Sequence, residues 1–353
     1  DAIASSKKGE NYILGVHIAD VSYYVKEGTA LYKEAYSRGT SVYLVDRVVP
    51  MLPHKLSNGI CSLNPNVDRL TISCIAEIDK NGNIVDYDIK KSVINSKKKM
   101  NYEDVNDVIT NHNIKKEYEP FINDLNLMAE LSRKLTQKRK EKGYLSFDSN
   151  ELDFKTNIDN KLESIKGKER IESEMIIENF MILANHIIAF NYSNLPFIYR
   201  NHDLPDNQRL KETVMTLQNL GYKIHRIQNF QSAYTLQNIL NQLEKNDEYC
   251  VLSNMILRSI KKAYYDTENI GHYGLGLDFY THFTSPIRRI TDLLVSYSMD
   301  LYDEMNLSSE KLLEHEKFLH DMAEYASMKE RMADKAEYYG DKLCLIENLN
   351  NCS

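Results

Sequence analysis

The stretch YILGVHIADVSYYV (12–25) sets the reading of the fold. Leu14, Val16 and Ile18 alternate with Gly15, His17 and Ala19, the two-residue period of a half-buried strand. Working outward, SVYLVDRVVP (41–50) is rich in β-branched residues and stops at Pro50, so it also reads as a strand. LTISCIAEID (70–79), the turn KNGN and IVDYDIKKSVI (84–94) form a hairpin signal. From about residue 103 the texture becomes helical. Leu127, Leu131 and Leu135 repeat every four residues within 124–142, ahead of the basic run Lys138-Arg139-Lys140. A β-like passage, 143–168, precedes an apolar helix over 171–190. Asp206 suits a helix N-cap and Gly221 falls just past that helix's end. Helices over about 232–245 and 248–263 and a long charged one over about 309–346 complete the pattern. No repeat or low-complexity linker divides it. The expectation is one α+β domain.

Gross composition narrows the class. No run of about 18 apolar residues exists to cross a membrane, and the polar start DAIASSKKGENY lacks a signal peptide's apolar core. Five cysteines without a C-x-x-C pair argue against a zinc ribbon or a disulfide framework and favour the reducing cytoplasm. The net charge of −7 runs against the Lys/Arg excess that phosphate binding favours, unless a basic channel is segregated inside an acidic shell. The 24 tyrosines could stack on bases, but most sit among apolar neighbours and read as core.

The sharpest chemical signal is Tyr280-Thr281-His282-Phe283-Thr284-Ser285-Pro286-Ile287-Arg288-Arg289. Ser285 suits an N-cap and Pro286 the first helical position, so a helix is expected to start here. Its free N–H groups favour an anion. Arg288 and Arg289 would then stand at a positive helix end, which is unfavourable unless a polyanion lies between them. Either they hold a phosphate, or they pair with carboxylates such as Asp292 or face water. His17 and Asp20 could ligate a metal, although a strand histidine satisfied by a local carboxylate is the plainer reading. Lys97-Lys98-Lys99 reads as a solvated charge run. GLGL (274–277) lacks the third glycine and βαβ context of a phosphate-binding loop, and neither G-x-S-x-G nor H-E-x-x-H occurs.

Several segments resemble one family. GVHIADVSYYVKEG (15–28), RGTSVYLVDRVVPMLPHKLSNGICSLNPNVDRLT (38–71), FIYRNHD (197–203), LRSIKKAYY (257–265) and HYGLGLDFYTHFTSPIRR (272–289) are similar, in order, to the ribonuclease II/R catalytic (RNB) domain, above all its ribonuclease R branch. The resemblance implies an α+β domain whose mixed or antiparallel sheet is surrounded by helices enclosing an RNA channel. It further implies processive 3′→5′ hydrolysis of single-stranded RNA to nucleoside 5′-monophosphates with Mg²⁺. Asp1-Ala2-Ile3 matches the last aspartate of the family's four-aspartate metal segment. Arg288 matches the arginine at the scissile phosphate, Tyr43 the aromatic that clamps a base near the 3′ end, and Phe147 the aromatic that wedges the stacked bases. Tyr102, Ser285 and Arg289 are further candidate RNA contacts.

The resemblance also implies cold-shock-like domains before this region and an S1 domain after it. Residues 1–353 then read as the RNB domain, truncated at its N-terminal edge and without those neighbours. A pair of ions about 3.5–4 Å apart needs more than one carboxylate, so this polypeptide is expected to be inactive on its own. Ile290-Thr291-Asp292-Leu293 replaces the family's usual Tyr-Pro-Asp-Leu. Glu178-Asn179 replaces a Glu-Glu pair whose second acid is tied to the grip on the 3′-terminal nucleotide. The expected partner is a single-stranded RNA 3′ end. No membrane or protein partner is expected, and a cytoplasmic monomer is. The alternatives are a non-catalytic RNA-binding relative and an unrelated structural module.

Overall fold

The structure is a computed structural model that describes residues 1–145, 152–156, 162–167, 170–225, 227, 232–246, 248–304 and 307–351. Strands β1 (Ala2–Lys8) and β2 (Asn11–Ala19) pair antiparallel, with Ala2 opposite His17. Gly9, at φ +61°, allows the tight reversal between them. Helices α1 (Val21–Tyr24) and α2 (Ala30–Arg38) follow, then the two-residue strands β3 (Val42–Tyr43) and β4 (Val48–Val49). β5 (Asp68–Ile78) and β6 (Ile84–Asn95) close the main sheet, of order β1-β2-β5-β6 and antiparallel throughout.

The alternation read in β2 is the sheet's core face. Leu14, Val16 and Ile18 pack with Ile72, Cys74, Ala76 and Ile78 of β5, all buried. Helices α3 (Tyr102–Thr110) and α4 (Ile122–Glu141) lead to the antiparallel pair β7 (Leu152–Thr156) and β8 (Leu162–Gly167), and then to α5 (Glu172–Asn191). Phe180, Ile187 and Ile188 of α5 and Leu131 and Leu135 of α4 complete that first core.

Beyond it lie β9 (Tyr199–Asn201), α6 (Asn207–Asn219), α7 (Ala233–Leu243), α8 (Tyr249–Leu257), β10 (Tyr264–Asp266), α9 (Ile290–Glu304) and α10 (Ser309–Asn351). Asp206 caps α6, accepting from the amides of Gln208 and Arg209 at 3.0 Å each. A second core joins Val21 and Val25 to Leu293 and Leu294 of α9 and to Leu319 and Met322 of α10. A third lies among α6, α7 and α8. The fold is thus α+β with antiparallel sheets. Among the described residues no helix is long and apolar enough to cross a membrane.

Four local expectations change, one of them the helix expected over about 248–263, which ends at Leu257. The 41–50 strand is reduced to β3 and β4 around a turn, with Leu44 N–H donating to Arg47 O at 2.9 Å. His17 is satisfied by the Ser73 hydroxyl at 2.6 Å rather than by a carboxylate. The helix expected to start at Ser285–Pro286 starts at Ile290. Ser285–Arg288 instead makes one turn, in which the amides of Arg288 and Arg289 both reach Ser285 O at 3.1 Å. The cause is non-local. Arg288 O accepts from Ser41 N–H and Ile290 N–H donates to Gly39 O, each at 2.9 Å, holding Arg289 extended in a bridge with Thr40.

Candidate nucleic-acid interface

Asp292 organises the Ser285–Arg289 turn. Its side chain is fully buried, and its carboxylate accepts from Ser285 N–H at 2.7 Å and from Arg289 Nε and Nη2 at 2.8 Å each. The Thr291 hydroxyl adds a fourth bond at 3.2 Å. Burial alone would push the Arg289 guanidinium down, but Asp292 beside it, with Tyr265 and Tyr280, holds it well above its ordinary value. Arg289 is therefore a charged, internally neutralised strut. Its neighbour is different. Arg288 is exposed, and among the described residues no carboxylate pairs with its side chain. Its carbonyl is pinned by Ser41 N–H and by the Thr40 hydroxyl, at 2.9 and 3.2 Å. Of two adjacent cations, one is spent on the fold and one is presented to solvent.

The same 39–41 strip leads directly into β3, where Tyr43 leaves 46% of its surface exposed. Tyr43 N–H donates to Glu337 Oε1 of α10 at 2.7 Å, so the strip is anchored at both ends. Tyr43, Ser285 and Arg288 thus share one backbone assembly. Tyr102 stands elsewhere, at the start of α3. It is 45% exposed, with its carbonyl held by the Ser173 hydroxyl at 2.7 Å. Phe147 lies outside the described residues.

Asp1 is exposed and immediately precedes β1 at the end of the sheet where β2 runs into α1. Asp20, at that same end, is committed: its carboxylate caps Tyr23 N–H at 3.1 Å and accepts from the Ser22 hydroxyl at 2.7 Å. Among the described residues no group of three or more His, Cys, Asp or Glu could hold a metal. Asp1 alone does not fit a pair of divalent ions.

Sequence reading missed the polar layer beneath the turn. Arg200 of β9 forms a two-point ion pair with Glu330 of α10, at 2.6 and 3.0 Å, and lies 4.5 Å from the Tyr265 ring centroid. The Tyr265 hydroxyl meets His282 Nδ1 at 2.7 Å. Burial, with His202 and Arg200 adding to it, pushes His272 down to about 3, and burial beside Arg289 and Arg200 keeps His282 far below its ordinary value. These histidines are neutral hydrogen-bonding groups at physiological pH. The similar strings FIYRNHD, LRSIKKAYY and HYGLGLDFYTHF carry Arg200, Tyr265, His272 and His282, but nothing in them announces Glu330.

This α+β fold, with its exposed Arg288 above a neutralised Arg289, matches the RNB domain over residues 1–302, and the chain belongs to that family. Among its curated relatives, ribonuclease R of Thermotoga maritima is 42% identical over 347 residues, covering 96% of this chain and 48% of that protein. The chain thus spans about half the length of the relative. In three dimensions it is similar to Mycoplasma genitalium RNase R in complex with ribose methylated single-stranded RNA. The TM-score is 0.90 at 28% identity, covering 98% of this chain and 55% of that one. Yeast Ssd1, a pseudonuclease, has a TM-score of 0.77 at 18% identity, covering 99% of this chain and 42% of its own, and shares the fold alone.

Proposed function

We propose that the chain is the RNA-handling domain of a processive 3′→5′ exoribonuclease acting on single-stranded RNA and releasing nucleoside 5′-monophosphates. The observation that carries this is the exposed Arg288 fork, without a carboxylate partner among the described residues, fixed to the same strip as the exposed Tyr43. A guanidinium matches phosphoryl oxygens in two-point geometry, and an exposed tyrosine offers a face for a base. Ser285 sits in the same turn as a hydroxyl donor, while Arg289 acts on RNA through the shape of that turn. Tyr102, and Phe147 by resemblance, extend the base contacts. Asp1 would give one carboxylate to a Mg²⁺ site whose other ligands are not among the described residues, so residues 1–353 alone bind RNA without cutting it. A cytoplasmic monomer is the form in which we expect it.

Replacing Tyr43 tests this reading. Stacking supplies about 1–3 kcal/mol per base, so Tyr43→Ala should weaken binding of a short single-stranded RNA with a free 3′ end by about 5- to 150-fold. Fluorescence anisotropy on residues 1–353 reads this directly. Unchanged affinity in the variant would remove Tyr43, and the strip that holds it, from the RNA path.

A further inference from the structure

A cleft between α4, α5 and the β5–β6 turn has no lining residue from the Arg288–Tyr43 strip. It is a small, half-open cleft of about 90 Å³. Ile182, Leu183 and Leu277 give it apolar walls, and Lys138, Arg139, Lys142 and His186 give it cationic ones.

Arg139 is the unusual member. Its Nε and Nη1 are buried and have no hydrogen-bond partner among the described residues. Nη2 donates to Asn179 Oδ1, a neutral acceptor. Asn179 is itself buried and faces α4, donating to the Ser132 and Thr136 hydroxyls at 2.7 and 2.8 Å. The nearest carboxylate, Glu178, stands 4.0 Å from Nη2 and is shared with Arg170 and the Tyr144 hydroxyl. Two guanidinium groups therefore divide one carboxylate. His186 donates through Nδ1 to Phe279 O at 2.8 Å, and Lys138 reaches Gly82 O at 3.1 Å, so neither neutralises the site. Burial pushes Arg139, Lys138 and His186 all downward from their ordinary values, outweighing Tyr144 and Glu178 beside Arg139, Asp79 and Glu141 beside Lys138, and Asp278 beside His186. Buried donors left unmade are costly, and charged ones more so.

We propose that this cleft binds a small organic oxyanion, a phosphate- or carboxylate-bearing molecule with a planar or apolar body. The head would lie against Arg139 with Lys138 and Lys142 around it, and the body against Leu183 and Leu277. The site is separate from the Arg288 strip, and Asn179, which stands where the resemblance implies an acid tied to the 3′-terminal nucleotide, turns to Ser132 and Thr136 of α4 instead.

The test is calorimetric titration of the chain with adenosine 5′-monophosphate, inorganic phosphate and adenosine. The monophosphate should bind more tightly than phosphate, and adenosine should bind far more weakly than either. Asn179→Glu supplies an internal carboxylate next to Arg139 and should weaken monophosphate binding by about tenfold or more. Lys142→Glu, at an exposed position that leaves the fold intact, should do the same. Arg288→Ala should leave it unchanged. Binding abolished by Arg288→Ala yet intact in Lys142→Glu would put the ligand in the RNA path and overturn the proposal. So would adenosine binding as well as its monophosphate, or no binding of any of the three probes.

Discussion

Arg288→Ala, in a form of the protein that hydrolyses RNA, lowers the single-turnover rate by about 10²–10³-fold, the usual cost of removing one donor to a developing oxyanion. Affinity for single-stranded RNA changes far less, because in the role proposed for it the fork meets charge that develops only as the phosphodiester is cleaved. Folding stability shifts by no more than about 0.5 kcal/mol, since the side chain is exposed and pairs with no carboxylate among the described residues. Arg288→Lys does not restore the rate, because an ammonium keeps the charge but loses the planar two-point geometry. Single-turnover hydrolysis beside equilibrium binding separates these effects. If affinity falls as far as the rate does, Arg288 is a ground-state RNA contact and not a contact made for the transition state.

Asp292→Ala has the opposite signature. It leaves the Arg289 guanidinium without its two acceptors and the Ser285 amide without its own. Breaking a buried pair by removing one partner costs about 3–5 kcal/mol, because the surviving charge stays desolvated. Urea unfolding followed by circular dichroism should show the midpoint falling sharply. Arg289→Ala should fall in the same direction, and Arg288→Ala should not. A loss below about 1 kcal/mol for Asp292→Ala would mean that water reaches Arg289 and that the turn does not rest on this pair. Adjacent arginines of identical charge thus separate cleanly, one into rate and one into stability.

What the sequence made legible follows the range of the interactions involved. The two-residue alternation of Leu14, Val16 and Ile18 is local, and it is the face buried in the first core. The β5–β6 hairpin and the Asp206 cap are equally local, and both are present. The expected helix start at Ser285 fails because partners far along the chain, Gly39 and Ser41, take the backbone of Ile290 and Arg288. The two readings left open for the arginine pair divide between its members, with Arg289 paired to Asp292 and Arg288 facing solvent. Arg200 and Glu330 lie 130 residues apart, and neither has a local pattern to mark it. Asn179 could be noticed as a departure from an acid pair, but only the geometry places it against α4 beside an under-neutralised Arg139. The α+β class was legible from patterning. The arrangement of the site was legible only through resemblance, because its side chains converge from the 39–43 strip, the 285–292 turn and α10.

The most direct measurement is a time course of digestion of a 5′-labelled single-stranded RNA. It compares residues 1–353 with a longer form extended upstream of Asp1, each with Mg²⁺ and with EDTA. The prediction is stepwise shortening from the 3′ end to a short limit product by the longer form alone, stopped by EDTA, while residues 1–353 bind the RNA and leave it whole. RNA bound but never shortened by the longer form would contradict it, and would make this RNB domain an RNA binder in which Arg288 has no catalytic role.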